Sequence, residues 1–176
     1  MTGGDSLAAA LLPPLLASGV YLPGNDNVHA LQARIAAGVH DAATEKTALM
    51  TIAVHEADSL RPVTRLLDLA TTEKNWPEVA RWANAWIAIN PLAPSPWRAL
   101  LGAQEQEEEH AAAAHAGEVL LQLDPPDFAS IHLRVARQWL PSDPARARRH
   151  VLQALEEAPR FRAAYDLLAT LPPAPA

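Results

Sequence analysis

The sequence contains no cysteine, so it forms no disulfide and offers no thiolate to a metal or a substrate. Phe and Tyr occur twice each, and no segment alternates β-branched and polar residues as a half-buried strand does. The glycine patterns that cradle phosphate, G-x-G-x-x-G and G-x-x-x-x-G-K-[ST], are both missing. No serine stands in a nucleophile-elbow sequence. The longest apolar stretch near the start, Leu7 to Ala17, is broken by Pro13-Pro14 and follows Asp5 with no Lys or Arg before it. It is too short and too interrupted to span a membrane, and without a basic flank it reads as a short helix or end cap, not a secretion signal. For the chain as given this leans toward the cytoplasm.

What is there is helix-forming. Ala and Leu dominate, Arg far outnumbers Lys, nearly half of the 176 residues are apolar, and the net charge is −6. An acidic balance of that size favours solubility and argues against general nucleic-acid binding. The expected fold class is all-α.

Proline supplies the organisation. "WIAINP", "LLQLDPP" and "LEEAP" end amphipathic runs at Pro91, Pro125 and Pro159, a step of 34 residues each time. Pro23 lies two further steps back, with Ala57 standing at the intermediate position. A stop signal at fixed period marks a repeat architecture. The punctuation gives three helix pairs at 58–91, 92–125 and 126–158, a closing helix at 159–171 and a frayed tail at 172–176. Asn75, Ser95, Asp127 and Asp143 serve as helix starts, with Pro96 and Pro144 in first turns. Residues 1–57 give a fainter pattern: helices at Asn25–Ala37 and Asp41–Glu56, a degenerate repeat or cap. No linker of flexible composition divides the chain, which reads as one domain.

Ala147, Val151, Ala154 and Ala158 form one apolar stripe, and Trp76, Val79, Ala83 and Trp86 another. On this reading Trp76, Trp86, Trp97 and Trp139 pack between helices, and Trp82 lies off the stripe as a candidate exposed contact. Small residues on the stripes let paired helices approach closely. No pair buries its own stripe alone, so the pairs must stack.

This 34-residue helix–turn–helix unit resembles the tetratricopeptide repeat. The unit ending at Pro125 matches that pattern at Trp97, Leu100, Ala113 and Pro125. The unit ending at Pro159 matches at Val135, Ala136, Ala147, Ala154 and Pro159, after a one-residue slip in its turn. The unit ending at Pro91 fits at Leu66, while Val79 and Trp86 replace small residues. The resemblance implies a right-handed superhelical stack of antiparallel helix pairs that binds a protein or peptide on the concave face made by the first helix of each pair. In that register the groove shows Arg61, Thr64, Asp68, Arg98, Glu105 and Arg137, a mixed-charge surface. The wording also resembles the C-terminal repeats of large bacterial proteins, some with a zinc-peptidase-like domain upstream. The implied alternative is an accessory repeat region of such a protein. The H-E-x-x-H motif itself is not here, since Ser59 stands where "HEADS" would need its second histidine.

The reading is non-catalytic, with no metal site and no cofactor. His110 and His115 are five apart and do not share a helix face as metal ligands at i, i+4 would. The seven histidines read as surface or turn residues. Glu107–Glu109 and Glu156-Glu157 read as solvated charge. Arg146, Arg148, Arg149, Arg160 and Arg162, with His150, make a basic patch, either a contact for an acidic partner or RNA, or a solvated outer face. Base-stacking aromatics do not interleave with it, which argues against nucleic acid.

Overall fold

The computed structural model describes residues 12–17, 21, 23 and 27–172. Residues 7–11 of the N-terminal apolar stretch and 173–176 of the tail lie outside the described residues; residues 12–17 are helical. Every regular element among the described residues is a helix. Contacts divide the chain into two compact units, Met1–Asn75 and Trp76–Ala176. The boundary falls inside the stretch 58–91 that the proline spacing assigns to one pair.

The first unit carries α1 (Val28–Gly38), α2 (Ala42–His55) and α3 (Leu60–Thr72). The Asn27 side chain opens α1 by accepting from Ala30 N at 2.6 Å. Asp41 opens α2 by accepting from Thr44 N at 3.1 Å. Each cap satisfies an amide that the helix itself leaves without a partner. α1 packs on α2 and α2 on α3, around Ala33, Ala36, Ala48, Leu49, Ile52, Val63 and Leu66.

The second unit carries α4 (Trp76–Ile89), α5 (Pro94–Gln106), α6 (His110–Gln122), α7 (Phe128–Trp139), α8 (Pro144–Glu157) and α9 (Arg162–Thr170). Each packs on the next in chain order. Leu101, Leu120, Ile131 and Val135 are fully buried. Leu133, Ala136, Ala147, Val151, Ala154, Ala164 and Leu171 close the C-terminal end, under Trp139 and Phe161. Alanine on facing stripes is what lets these helices lie close. Gly117 of α6 carries this furthest, for an added β-carbon would meet Val135 Cγ2 of α7 at 2.4 Å.

Two of the starts and one tryptophan differ from the sequence expectation. Ala93, not Ser95, precedes α5, and Pro94 takes the first turn with Pro96 buried behind it. Asp127 precedes α7 but gives its side chain no capping bond, because its carboxylate is taken by Arg98. Trp82 is buried, not an exposed contact; its Nε1–H donates to Glu78 Oε2 at 2.8 Å and Arg81 lies over its ring. The buried arc of α4 takes in both Trp82 and Ala83, so it is wider than the stripe drawn from the sequence.

The 34-residue period reappears in the backbone. His40, Lys74 and Glu108 all have φ between 55° and 59°, and they stand 34 residues apart. In each turn the following amide reaches back five residues: Asp41 N to Ala36 O, Asn75 N to Ala70 O and Glu109 N to Gln104 O, at 2.9 to 3.0 Å. This left-handed C-terminal cap satisfies carbonyls that a helix end leaves open. The next position in the series, Ser142, breaks it: Asp143 N closes directly on Trp139 O at 2.7 Å. That is the one-residue slip read in the sequence.

Candidate functional site

In the first unit the predicted groove residues come together. Arg61, Thr64 and Asp68 follow one another at three and four residues along α3, which places them on one helix face. That face forms one wall of a cavity of about 350 Å³. Ala30 and Ala33 of α1, with Leu49 and Ile52 of α2, give it an apolar floor. The charged rim holds Arg34, Glu45 and Arg65 beside Arg61 and Asp68. Glu45 is 4% exposed and takes two hydrogen bonds from Arg65, at 2.6 and 3.1 Å. Arg65 is thereby held further above its ordinary range, with Asp68 adding attraction. This clamp fixes the α2–α3 edge of the cavity, since a buried carboxylate persists only when it is paired and hydrogen-bonded. Arg34 and Asp68 are exposed, and neither makes a side-chain ion pair or hydrogen bond among the described residues.

Two further lining residues, Asn27 and Glu56, are both hydrogen-bonded to Tyr21, which the sequence reading did not single out. Its hydroxyl donates to Glu56 Oε1 at 2.6 Å, and its ring stacks on His55 with centroids 4.1 Å apart. Partial burial and the Glu56 carboxylate push this phenol up to about 12. Nothing in the run "YLPGND" announces that role, because the partners lie 34 and 35 residues on.

In the second unit Arg98, Glu105 and Arg137 are differently disposed. Arg98 of α5 grips Asp127 through two bonds of 2.7 and 2.8 Å, holding that carboxyl below its ordinary range. Glu105 of α5 accepts from Arg134 of α7 at 2.6 and 3.0 Å, and from Gln138 at 3.4 Å. Both pairs tie α5 to the start and middle of α7. Arg137 is exposed near the end of α7.

The basic patch is likewise divided. Arg146 bonds Glu118 at 2.8 to 2.9 Å and lies 4.0 Å over the Trp139 ring. Arg148 donates to the carbonyls of Leu171 and Pro172, tying down the end of the chain. Arg149, Arg160 and Arg162 are exposed. Glu107–Glu109, Glu156 and Glu157 are exposed as well. Two histidines depart from the surface reading: His132 and His150 are half-buried and face each other, Nδ1 to Nδ1, at 3.0 Å. The signal available beforehand was their equal distance from Pro141, since residues equidistant from the turn of a helical hairpin oppose each other.

No known family profile matches the chain, and no curated protein matches it in sequence. Solved structures do match. A crystal structure of the MamA protein superposes with a TM-score of 0.63 over 80% of this chain and 77% of that one, at 11% identity. A MamA structure titled AMB-1 gives 0.57 over 96% and 90%, at 16% identity. The MamA RS-1 ArsTM double mutant gives 0.58 over 92% and 99%, at 15% identity. At such identities the likeness is one of fold. Together with the 34-residue recurrence of the left-handed turn, it shows that this chain has an all-helical repeat fold of the tetratricopeptide kind.

Proposed function

We propose that the chain is a non-catalytic scaffold that holds a peptide segment of a partner protein in the cavity between α1, α2 and α3. The observation that supports this reading is the cavity itself. At about 350 Å³ it is in the size range of sites that seat a small anchor group. Its floor is apolar, and its rim presents Arg34 and Asp68 on opposite helices. A segment with one aliphatic side chain, an acidic residue to one side and a basic residue to the other complements both. Burial of the aliphatic group supplies affinity, and the two charges set direction along the groove. Arg61 and Thr64 line the wall between. The action is binding alone, with no bond made or broken.

In this reading Arg98 and Glu105 serve the stability of the second unit, because each already holds a partner of its own. The test is a displayed peptide library selected on the full chain. Enriched peptides should share an aliphatic anchor flanked by opposite charges, and Asp68→Arg should abolish their capture while leaving the helical signal intact. Enrichment of peptides that bind Asp68→Arg and the wild type alike would refute the assignment.

A further inference from the structure

A second cavity, of about 340 Å³, opens in the second unit between α6, α7 and α8. Its charges do not cancel. Glu118 of α6 enters it, but that carboxylate is already occupied: Trp139 Nε1–H donates to it at 2.8 Å and Arg146 bonds it at 2.8 to 2.9 Å. What remains is the exposed Arg149 guanidinium, which has no ion pair among the described residues, and two imidazoles. His132 of α7 and His150 of α8 share a single hydrogen across 3.0 Å. His150 Nε2 stands 3.5 Å from Glu118.

Both imidazoles are held neutral. Burial lowers His132 to about 4, helped by the neighbouring His150. Burial lowers His150 too; Glu118 opposes this, and Arg146 and Arg149 add to it. The cavity therefore gathers four groups able to carry positive charge around one already neutralised carboxylate. A cation has little reason to enter. Arg146 already takes up the one carboxylate, Glu118, Arg149 repels a cation, and among the described residues no group of three His, Asp or Glu side chains is arranged to hold a metal ion. An anion reverses the balance, because negative charge beside the pair favours its protonated form.

The donors outnumber the oxygens of a carboxylate. The Arg149 fork, the side-chain amides of Gln122 and Gln153 and the imidazole N–H groups come from three helices. A tetrahedral phosphate has oxygens for all of them, and a monoester is largely dianionic at neutral pH, with its second ionisation near 6. We propose that this cavity binds a phosphate monoester, gripped by Arg149 and by the His132–His150 pair, which takes up one proton from solvent as the anion enters. The proton settles on the pair, with one imidazole donating to its neighbour and the other ring nitrogens turned to Glu118 and to the phosphate. This surface is separate from the α1–α3 cavity, and the proposal does not rest on peptide binding there.

The experiment follows the imidazole proton resonances of the full chain during titration with O-phosphoserine and, separately, with a phosphoserine peptide. Both His132 and His150 signals should shift to saturation, while serine moves neither. Affinity should rise about threefold or more from pH 8 to pH 6.5, as the pair takes up its proton while most of the ester remains dianionic. Arg149→Ala, a change at an exposed position, should weaken binding about tenfold or more with the helical signal intact. Equal affinity for the amino acid and the peptide would identify a small phosphorylated ligand; tighter binding of the peptide would identify a phosphorylated side chain on a partner. Unmoved imidazole signals, equal affinity at both pH values, or wild-type binding by Arg149→Ala would each overturn the proposal.

Discussion

Gly117 and Val135 approach more closely than any other side chain at position 117 would allow. A β-carbon at Gly117 would stand 2.4 Å from Val135 Cγ2, with both Leu101 methyls within 3.7 Å. Leu101 and Val135 are fully buried, so neither can swing aside into solvent. Gly117→Ala should destabilise the chain by about 1–3 kcal/mol, as overpacking in a closed core does. In the Val135→Ala background the same change should cost much less. Thermal or denaturant unfolding of the four proteins in this cycle measures the coupling.

The left-handed turns run the other way. Lys74 and Glu108 hold φ near 55° and 58° with side chains that disfavour it. Both are exposed and close turns through backbone bonds alone. Lys74→Gly and Glu108→Gly should therefore each stabilise the chain by about 0.5–1 kcal/mol, read as a raised denaturant midpoint with unchanged slope. A loss of stability in both would mean that these turns do not hold the left-handed conformation.

The facing imidazoles give a pH dependence of definite sign. His132 is lowered to about 4 in the folded chain, from an unfolded value of 6.5. The unfolded chain therefore binds more protons as pH falls, and the stability this pair contributes is full above about 6.5 and is lost progressively toward 4. Melting temperature should fall across that window more steeply for wild type than for His132→Asn. Parallel profiles for the two proteins would contradict the assignment.

Ala154 is fully buried in the C-terminal cluster, on the same stripe of α8 as Ala147 and Val151. Ala154→Arg leaves a guanidinium with no partner there and should cost about 3 kcal/mol or more. A wild-type melting curve would refute this register for α8.

This stripe was legible because helix periodicity and the prolines at 91, 125 and 159 act locally, on the segment that carries them. The repeat was legible for the same reason. The turns at His40, Lys74 and Glu108 repeat just as faithfully, yet none carries glycine, so the backbone period left no mark in composition. The charged faces were legible only in part. Placing Arg61, Thr64 and Asp68 on one face needed helix geometry alone. Learning that Arg98 is taken by Asp127 and Glu105 by Arg134 needed the register of α5 against α7, across 29 residues of sequence. Trp82 was misplaced because a narrow stripe was assumed where α4 buries a wider arc.

The most direct test of the account is the affinity of a library-selected peptide for wild type and for Thr64→Arg. Thr64 is half-buried on the wall of the α1–α3 cavity, and an arginine there fills the space an anchor side chain would take. The account predicts a loss of about tenfold or more, read by isothermal titration, with the melting temperature of the free chain unchanged. Equal affinity for the two proteins would place the peptide elsewhere and contradict the central claim.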